Sequence, residues 1–236
     1  MSTYLTLTNE LLRRMGEVTL DVTQFNGARN VQGLAKAAIN SSIREILHSA
    51  QEFPFTLVTQ TQTMTVGTGV YNLPANASSV DWESFYLKKL TSSNNAPAKL
   101  HAISYTQYLD QFRSVEETNT TTGYTHPTHV YQTQDLKFGV TPLPDAAYEI
   151  EYKYWQFPES LVEYTDNCII PSRFDTVIID GGMTYMLLYR SNEQSAAIHR
   201  EKFESGIKTM RRLLCDEPLE VRSTAIRYPL FSPRAF

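Results

Sequence analysis

Residues 31–66, VQGLAKAAINSSIREILHSAQEFPFTLVTQTQTMTV, change hydrophobic period in mid-course, and that change decides the fold. Up to Phe53, the residues Val31, Leu34, Ala35, Ala38, Ile39, Ile43, Ile46, Leu47 and Ala50 return to one face in steps of three and four, as in an amphipathic helix. The opposite face carries Lys36, Asn40, Arg44, Gln51 and Glu52. Pro54 stops the helix, because proline disfavours helical backbone at the residue before it. From Phe55 the side chains alternate with a period of two and β-branched residues dominate, so FTLVTQTQTMTV reads as a strand.

Upstream, Leu7, Leu11, Leu12 and Met15 predict a short helix over 6–15 with Gly16 as its stop, and 17–30 reads as a connection. Downstream, Gly67, Thr68 and Gly69 predict a reversal that returns Val70–Leu73 as the second arm of a hairpin. Residues 80–90 read as a strand anchored by Trp82, and 104–113 as a short helix capped by Ser104. The stretch 114–126 is a polar loop, and strands resume at 129–133 and 136–140. In 148–157, Tyr148, Ile150, Tyr152 and Tyr154 face one way and Glu149, Glu151, Lys153 and Trp155 the other, the cleanest alternation in the chain.

The helical period returns at Ser172, which pairs with Asp175 in a capping-box pattern ahead of a stripe of Phe174, Val177, Ile178, Tyr185, Met186 and Tyr189. Gly181 and Gly182 interrupt that stripe; each costs about 1 kcal/mol against alanine, and a closely approaching helix is the natural compensation. A last helix begins near Ser191, with Gln194 as its capping partner, and buries Ala196, Phe203, Ile207, Met210 and Leu214 up to Pro218. The expected class is α+β: residues 1–54 and 171–217 form one helical bundle, and 55–170 form an antiparallel β domain, a sandwich or small barrel. Residues 218–236 form an extended docking arm. Arg222, Arg227, Tyr228, Leu230, Phe231, Arg234 and Phe236 are its candidate interface residues, because apolar anchors on an irregular terminal arm need another surface.

Composition and motifs argue against chemistry. At 42% hydrophobic and 19% charged residues a core can be buried without staples, and Cys168 and Cys215 lack metal-knuckle or redox spacing. A net charge of -4 argues against a dedicated duplex binder, and Lys208, Arg211 and Arg212 near a helix end read as a solvated face that favours the helix dipole. His126 and His129 in THPTH are split by a proline and lack two further ligands, so no metal is expected. Gly67–Gly69 lacks the Lys-Ser/Thr of a phosphate loop, Glu116–Glu117 and Asp216–Glu217 read as solvated charges, and no G-x-S-x-G elbow occurs. No catalytic residue and no cofactor are expected: the chain reads as a non-enzyme. The opening MSTYLTLTNELLRRMGE lacks a basic start and apolar core, and no window approaches an 18-residue apolar run, so neither a signal peptide nor a membrane anchor is expected. The tyrosine-bearing strands leave one alternative, a carbohydrate-binding module of a virion or bacterial surface.

Taken together, INSSIREILHSAQEFPFTLVTQT, the following VYNLP, DWESFYLKKL, FGVTPLPDAAYEIEYKYWQFP and the closing helical hairpin make the chain resemble the head-to-tail adaptors of tailed phages, also called tail tubular protein A. The resemblance implies a homo-oligomeric ring of about twelve subunits docked beneath the portal protein and joined below to the tail nozzle, with tail fibres as a further candidate partner. DNA would pass through the channel without sequence-specific binding. The implied location is the neck of the virion, with assembly in the host cytoplasm.

Overall fold

A computed structural model describes residues 1–49, 52–89, 97–114, 124–133 and 137–215. In it α1 (Tyr4–Arg14), the short α2 (Val22–Phe25) and α3 (Asn30–Ser49) precede the strands, and α5 (Asp175–Tyr189) and α6 (Glu193–Leu214) follow them. Between lie β1 (Leu57–Met64), β2 (Val70–Asn72), β3 (Ala77–Lys89), β4 (Ala98–Lys99), β5 (His101–Ile103), helix α4 (Tyr105–Gln111), β6 (His129–Gln132), β7 (Lys137–Thr141) and β8 (Tyr148–Gln156).

The helices at the two ends of the chain share one core. Leu7, Leu11, Leu12, Ile39, Ile46, Ile178, Phe203 and Met210 are all buried in it. The glycine pair of α5 makes that core possible. A side-chain carbon at Gly181 would overlap the Ser42 hydroxyl and come within 2.7 Å of the Phe203 ring, and one at Gly182 would meet Leu11 at 3.0 Å. Ser42 uses the closeness to donate a 2.8 Å hydrogen bond to the carbonyl of Ile178. In the hairpin of α5 with α6, Gly206 plays the same part, since a side chain there would reach Val177 at 2.8 Å.

The extreme N-terminus is sewn to the same body. Tyr4 N–H donates to Asp166 (2.8 Å), Cys168 N–H donates to Ser2 (3.0 Å), and the Ser2 hydroxyl donates to the Asp175 carboxylate. Thr3 caps α1 by accepting from Thr6 N–H. Gly16, with φ +71, ends it, as Gly16 N–H donates to Arg13 and Glu17 N–H to Leu12.

The strands form two four-stranded sheets, β1-β8-β3-β4 and β2-β7-β6-β5, packed face to face as a sandwich. Phe85 of β3, Tyr152 of β8 and Phe138 of β7 meet at its centre, with ring centroids 4.8 to 5.5 Å apart. The pairing is antiparallel except between β5 and β6, which run parallel. Register between β3 and β8 slips between Asp81 and Tyr86, and the Ser84 hydroxyl bridges the slip by accepting from Lys153 N–H and donating to the Asp81 carbonyl.

Four local expectations need correction. Gly67 does turn the chain, at φ +73, but β1 and β2 are not a hairpin: β1 pairs along its whole length with β8, whereas β2 joins β7 in the other sheet. The turn chemistry was local, and the partner was chosen by the longer ladder. Ser172 does not cap α5; Ser172–Phe174 form a 3-10 turn with no side-chain cap. The cap of α6 is Asn192, whose side chain accepts from Ser195 N–H. Ser191, at φ +57, instead occupies the left-handed position that ends α5, with Ser191 N–H on Leu188 and Asn192 N–H on Leu187. Finally, the expected connection 17–30 contains α2, capped by Asp21.

β1 and β8 lie side by side with Leu57 opposite Trp155, so the chain enters and leaves the sandwich at one place. That leaves α3 and α5 close enough to interlock. We expect Gly181→Ala to destabilise the protein by about 1–3 kcal/mol, despite a gain of about 1 kcal/mol in helix propensity, because no room exists for the methyl group. Ser42→Ala should recover part of that loss in the double mutant. Denaturant midpoints of the four proteins check this; an unchanged or raised midpoint for Gly181→Ala contradicts it.

Candidate assembly surfaces

The groups that chemistry would need do not converge. His126 rests against the Tyr148 ring at 5.3 Å, whereas His129 lies between Phe112 at 5.1 Å and His101 at 6.0 Å. His48 packs on Phe157, and His199 Nδ1 is 3.0 Å from Asp180. Among the described residues no three His, Cys, Asp or Glu side chains are placed to hold a metal ion. Cys168 and Cys215 are free thiols, and burial pushes the Cys168 thiol up to about 11, which keeps it protonated and unreactive at neutral pH. The pairs Glu116–Glu117 and Asp216–Glu217 lie outside the described residues.

The tyrosines of β8 point inward. Tyr148, Tyr152 and Tyr154 are buried, and desolvation drives the Tyr152 hydroxyl up to about 12. This removes the strand platform on which a sugar would stack. Trp82 stacks on Phe85 at 5.5 Å and borders a cavity of about 440 Å³ with Leu73, Ala77, Val80, Gln132 and Lys137. No carboxylate lines this cavity among the described residues.

The helical body presents a different kind of surface. On α5, Tyr185, Leu188 and Tyr189 are 36%, 52% and 64% exposed, which corrects the expectation that Tyr185 and Tyr189 face the core. The buried side is carried by Ile178, Ile179, Met183, Met186 and Leu187, so the last two turns of α5 are apolar on both sides. On α6, Ile198 and Leu213 are exposed as well. Beside this apolar row, Glu45 accepts from the Tyr185 hydroxyl at 2.8 Å and pairs with Arg200 at 2.7 Å. Arg200 also pairs with Glu204 at 2.8 Å, and Arg190 pairs with Glu17.

Two polar side chains assigned to the solvated face of α3 turn out to be structural. Asn40 brackets Leu161 like a peptide group, donating to its carbonyl at 2.9 Å and accepting from its N–H at 3.0 Å, and it donates to the Tyr4 hydroxyl at 3.0 Å. Lys36 donates to the Phe25 carbonyl at 3.0 Å and sits 4.1 Å from the centre of the Phe25 ring. Nothing in the sequence distinguishes them from exposed polar residues at the same helical phase. Lys208, Arg211 and Arg212 do occupy the last turns of α6, where cations favour the helix dipole. Arg222, Arg227, Tyr228, Leu230, Phe231, Arg234 and Phe236 lie outside the described residues.

The sequence matches the SU10 adaptor protein family over residues 2–227, nearly the whole chain, and no curated protein matches it. The chain belongs to the SU10 adaptor protein family. It is therefore a phage structural adaptor, a protein of the virion neck. Among the described residues no helix is long and apolar enough to cross a membrane.

The histidine pair of the sandwich gives a pH test. Burial, and then neighbouring His101, hold the His129 pKa below its ordinary 6.5. The unfolded chain therefore binds a proton that the folded one resists. This contribution to stability is fully present above the unfolded value of 6.5 and is lost as pH falls from there through the folded value. Denaturant midpoints at about pH 7.5 and about pH 5.5 should differ more in the native sequence than in His129→Gln. Equal differences would contradict this origin.

Proposed function

We propose that the protein is one subunit of a ring of about twelve copies that joins the portal to the tail nozzle and forms part of the DNA channel. Residues 1–54 and 171–217 make the ring wall in this proposal, 55–170 stand at its periphery, and 218–236 dock on the neighbouring subunit or the portal. The observation that carries it is the exposed apolar row of Tyr185, Leu188 and Tyr189 on a helix whose other side is already filled by the core. Among monomeric proteins such a row is a liability, whereas between copies it becomes buried area.

The charge pattern of the helical body is compatible with a conduit. Arg14 is engaged with Glu10 and Asp180, Arg190 with Glu17, and Arg200 with Glu45 and Glu204. Cations neutralised by carboxylates release few phosphate counterions, so DNA would slide past instead of being retained. No acid, base or nucleophile is needed for this role. What is needed is a rigid wall, and the interlocked helices supply one.

Negative-stain imaging of the protein mixed with portal tests the proposal. Rings should form with the native sequence and fail with the double substitution Leu188→Lys, Tyr189→Lys, whose monomer should keep its unfolding free energy within about 0.5 kcal/mol because both side chains are exposed and cations suit the last turn of α5. Rings of normal appearance from the double variant would overturn the assignment of the α5 face. A separate arm concerns the C-terminus: deleting 219–236 should abolish attachment to portal-bearing capsids, and unchanged attachment would overturn its docking role.

A further inference from the structure

Among the described residues, three of the four sheet edges in the sandwich are short. β2 and β5 have three residues each and β4 has two. The fourth edge is β1, eight residues in unbroken register with β8 on one side and, among the described residues, no strand on the other. Its sequence, LVTQTQTM, contains no charge, no proline and no bulge, the devices by which exposed edges are normally blunted. Instead it is rich in threonine, which suits a paired strand. An edge of this length and composition is built to be covered.

The chain itself arrives at the right place. Helix α6 ends at Leu214, and Cys215 has already turned to extended backbone, with φ −97 and ψ 122. Its thiol lies 3.9 Å from the carbonyl of Glu52, just ahead of the Pro54–Thr56 turn that feeds β1. The polypeptide therefore leaves the helical body beside the segment that leads into the open edge. After the short link 216–218 comes LEVRSTAIRY, residues 219–228, with β-branched Val221, Thr224 and Ile226 and aromatic Tyr228. At about 3.3 Å per residue these ten residues span about 33 Å, enough to run along an eight-residue strand of about 26 Å.

We propose that in the free subunit residues 219–228 add to the outer edge of its own β1 as a parallel strand. The direction follows from the exit point, and the fold already uses one parallel pair, β5 with β6. The added strand supplies what β1 lacks: Glu220, Arg222 and Arg227 place charges on the new edge, and Pro229 ends the pairing because it has no N–H to donate. Residues 230–236, with Leu230, Phe231 and Phe236, remain beyond the sheet. The inference concerns the isolated subunit and stands or falls separately from the ring.

Hydrogen exchange on the free protein tests it without portal or capsid. In the full chain the amides of Leu57–Met64 should exchange at least about tenfold more slowly than in a chain ending at Pro218, with the β8 amides that face β3 as an internal control for folding. A full-length Thr224→Pro variant, which cannot complete the ladder, should behave like the shortened chain. Equal β1 exchange in the full and shortened chains, or native-like β1 protection in Thr224→Pro, would overturn the proposal. So would protection that grows with protein concentration, since that means the edge is covered by another copy.

Discussion

The crossing of α3 and α5 at Ser42 and Gly181 is the contact on which the rest of the molecule depends. The absence of a side chain at Gly181 leaves the space that the Ser42 hydroxyl, bonded to the Ile178 carbonyl, and the Phe203 ring both press into. With that crossing made, Leu11 and Ile39 can pack on Gly182, and α1, α3, α5 and α6 bury a single core from both ends of the chain. The residue types are weak helix formers, so the cost in propensity is offset by packing. The sandwich then hangs between the two helices, closed at its base by the ladder of β1 with β8.

Most of this was legible where one face of an element is wet and the other dry. The stripe of α3 and the alternation of Tyr148, Ile150, Tyr152 and Tyr154 are periodic because burial is one-sided, and the glycine pair announced a close neighbour without saying which. What escaped is what periodicity cannot encode. A turn at Gly67 specifies reversal but not the partner of the strand that follows, so β2 passed to the other sheet unnoticed. Asn40 and Lys36 look solvated by phase, yet they satisfy the backbone of Leu161 and Phe25, segments far from α3 in sequence. Over 183–189 of α5 every position but Thr184 is apolar, so no stripe separates Tyr185 and Tyr189, which face outward, from Met183 and Met186, which do not.

That last ambiguity is also the functional signal. In this chain of the SU10 adaptor protein family, α5 turns one face to its own core and leaves Tyr185, Leu188 and Tyr189 exposed on the other, the face that the proposed ring would bury. Several of the described histidines and carboxylates are engaged in ion pairing or hydrogen bonding within the fold, as with His199 on Asp180 and Asp175 receiving the Ser2 hydroxyl. In the proposed ring, function would reside in surfaces and in the rigidity behind them. The interlock at Gly181 is what supplies the rigidity.

If both ends of the chain form one cooperative body, they must open together. Native-state hydrogen exchange measures this most directly, by comparing the opening free energies of Ile39 and Ile43 in α3 with those of Ile178 and Met183 in α5. The interlock predicts values that agree within about 1 kcal/mol and fall together with added denaturant. An α5 that opens several kcal/mol more readily, while α3 stays closed, would contradict it.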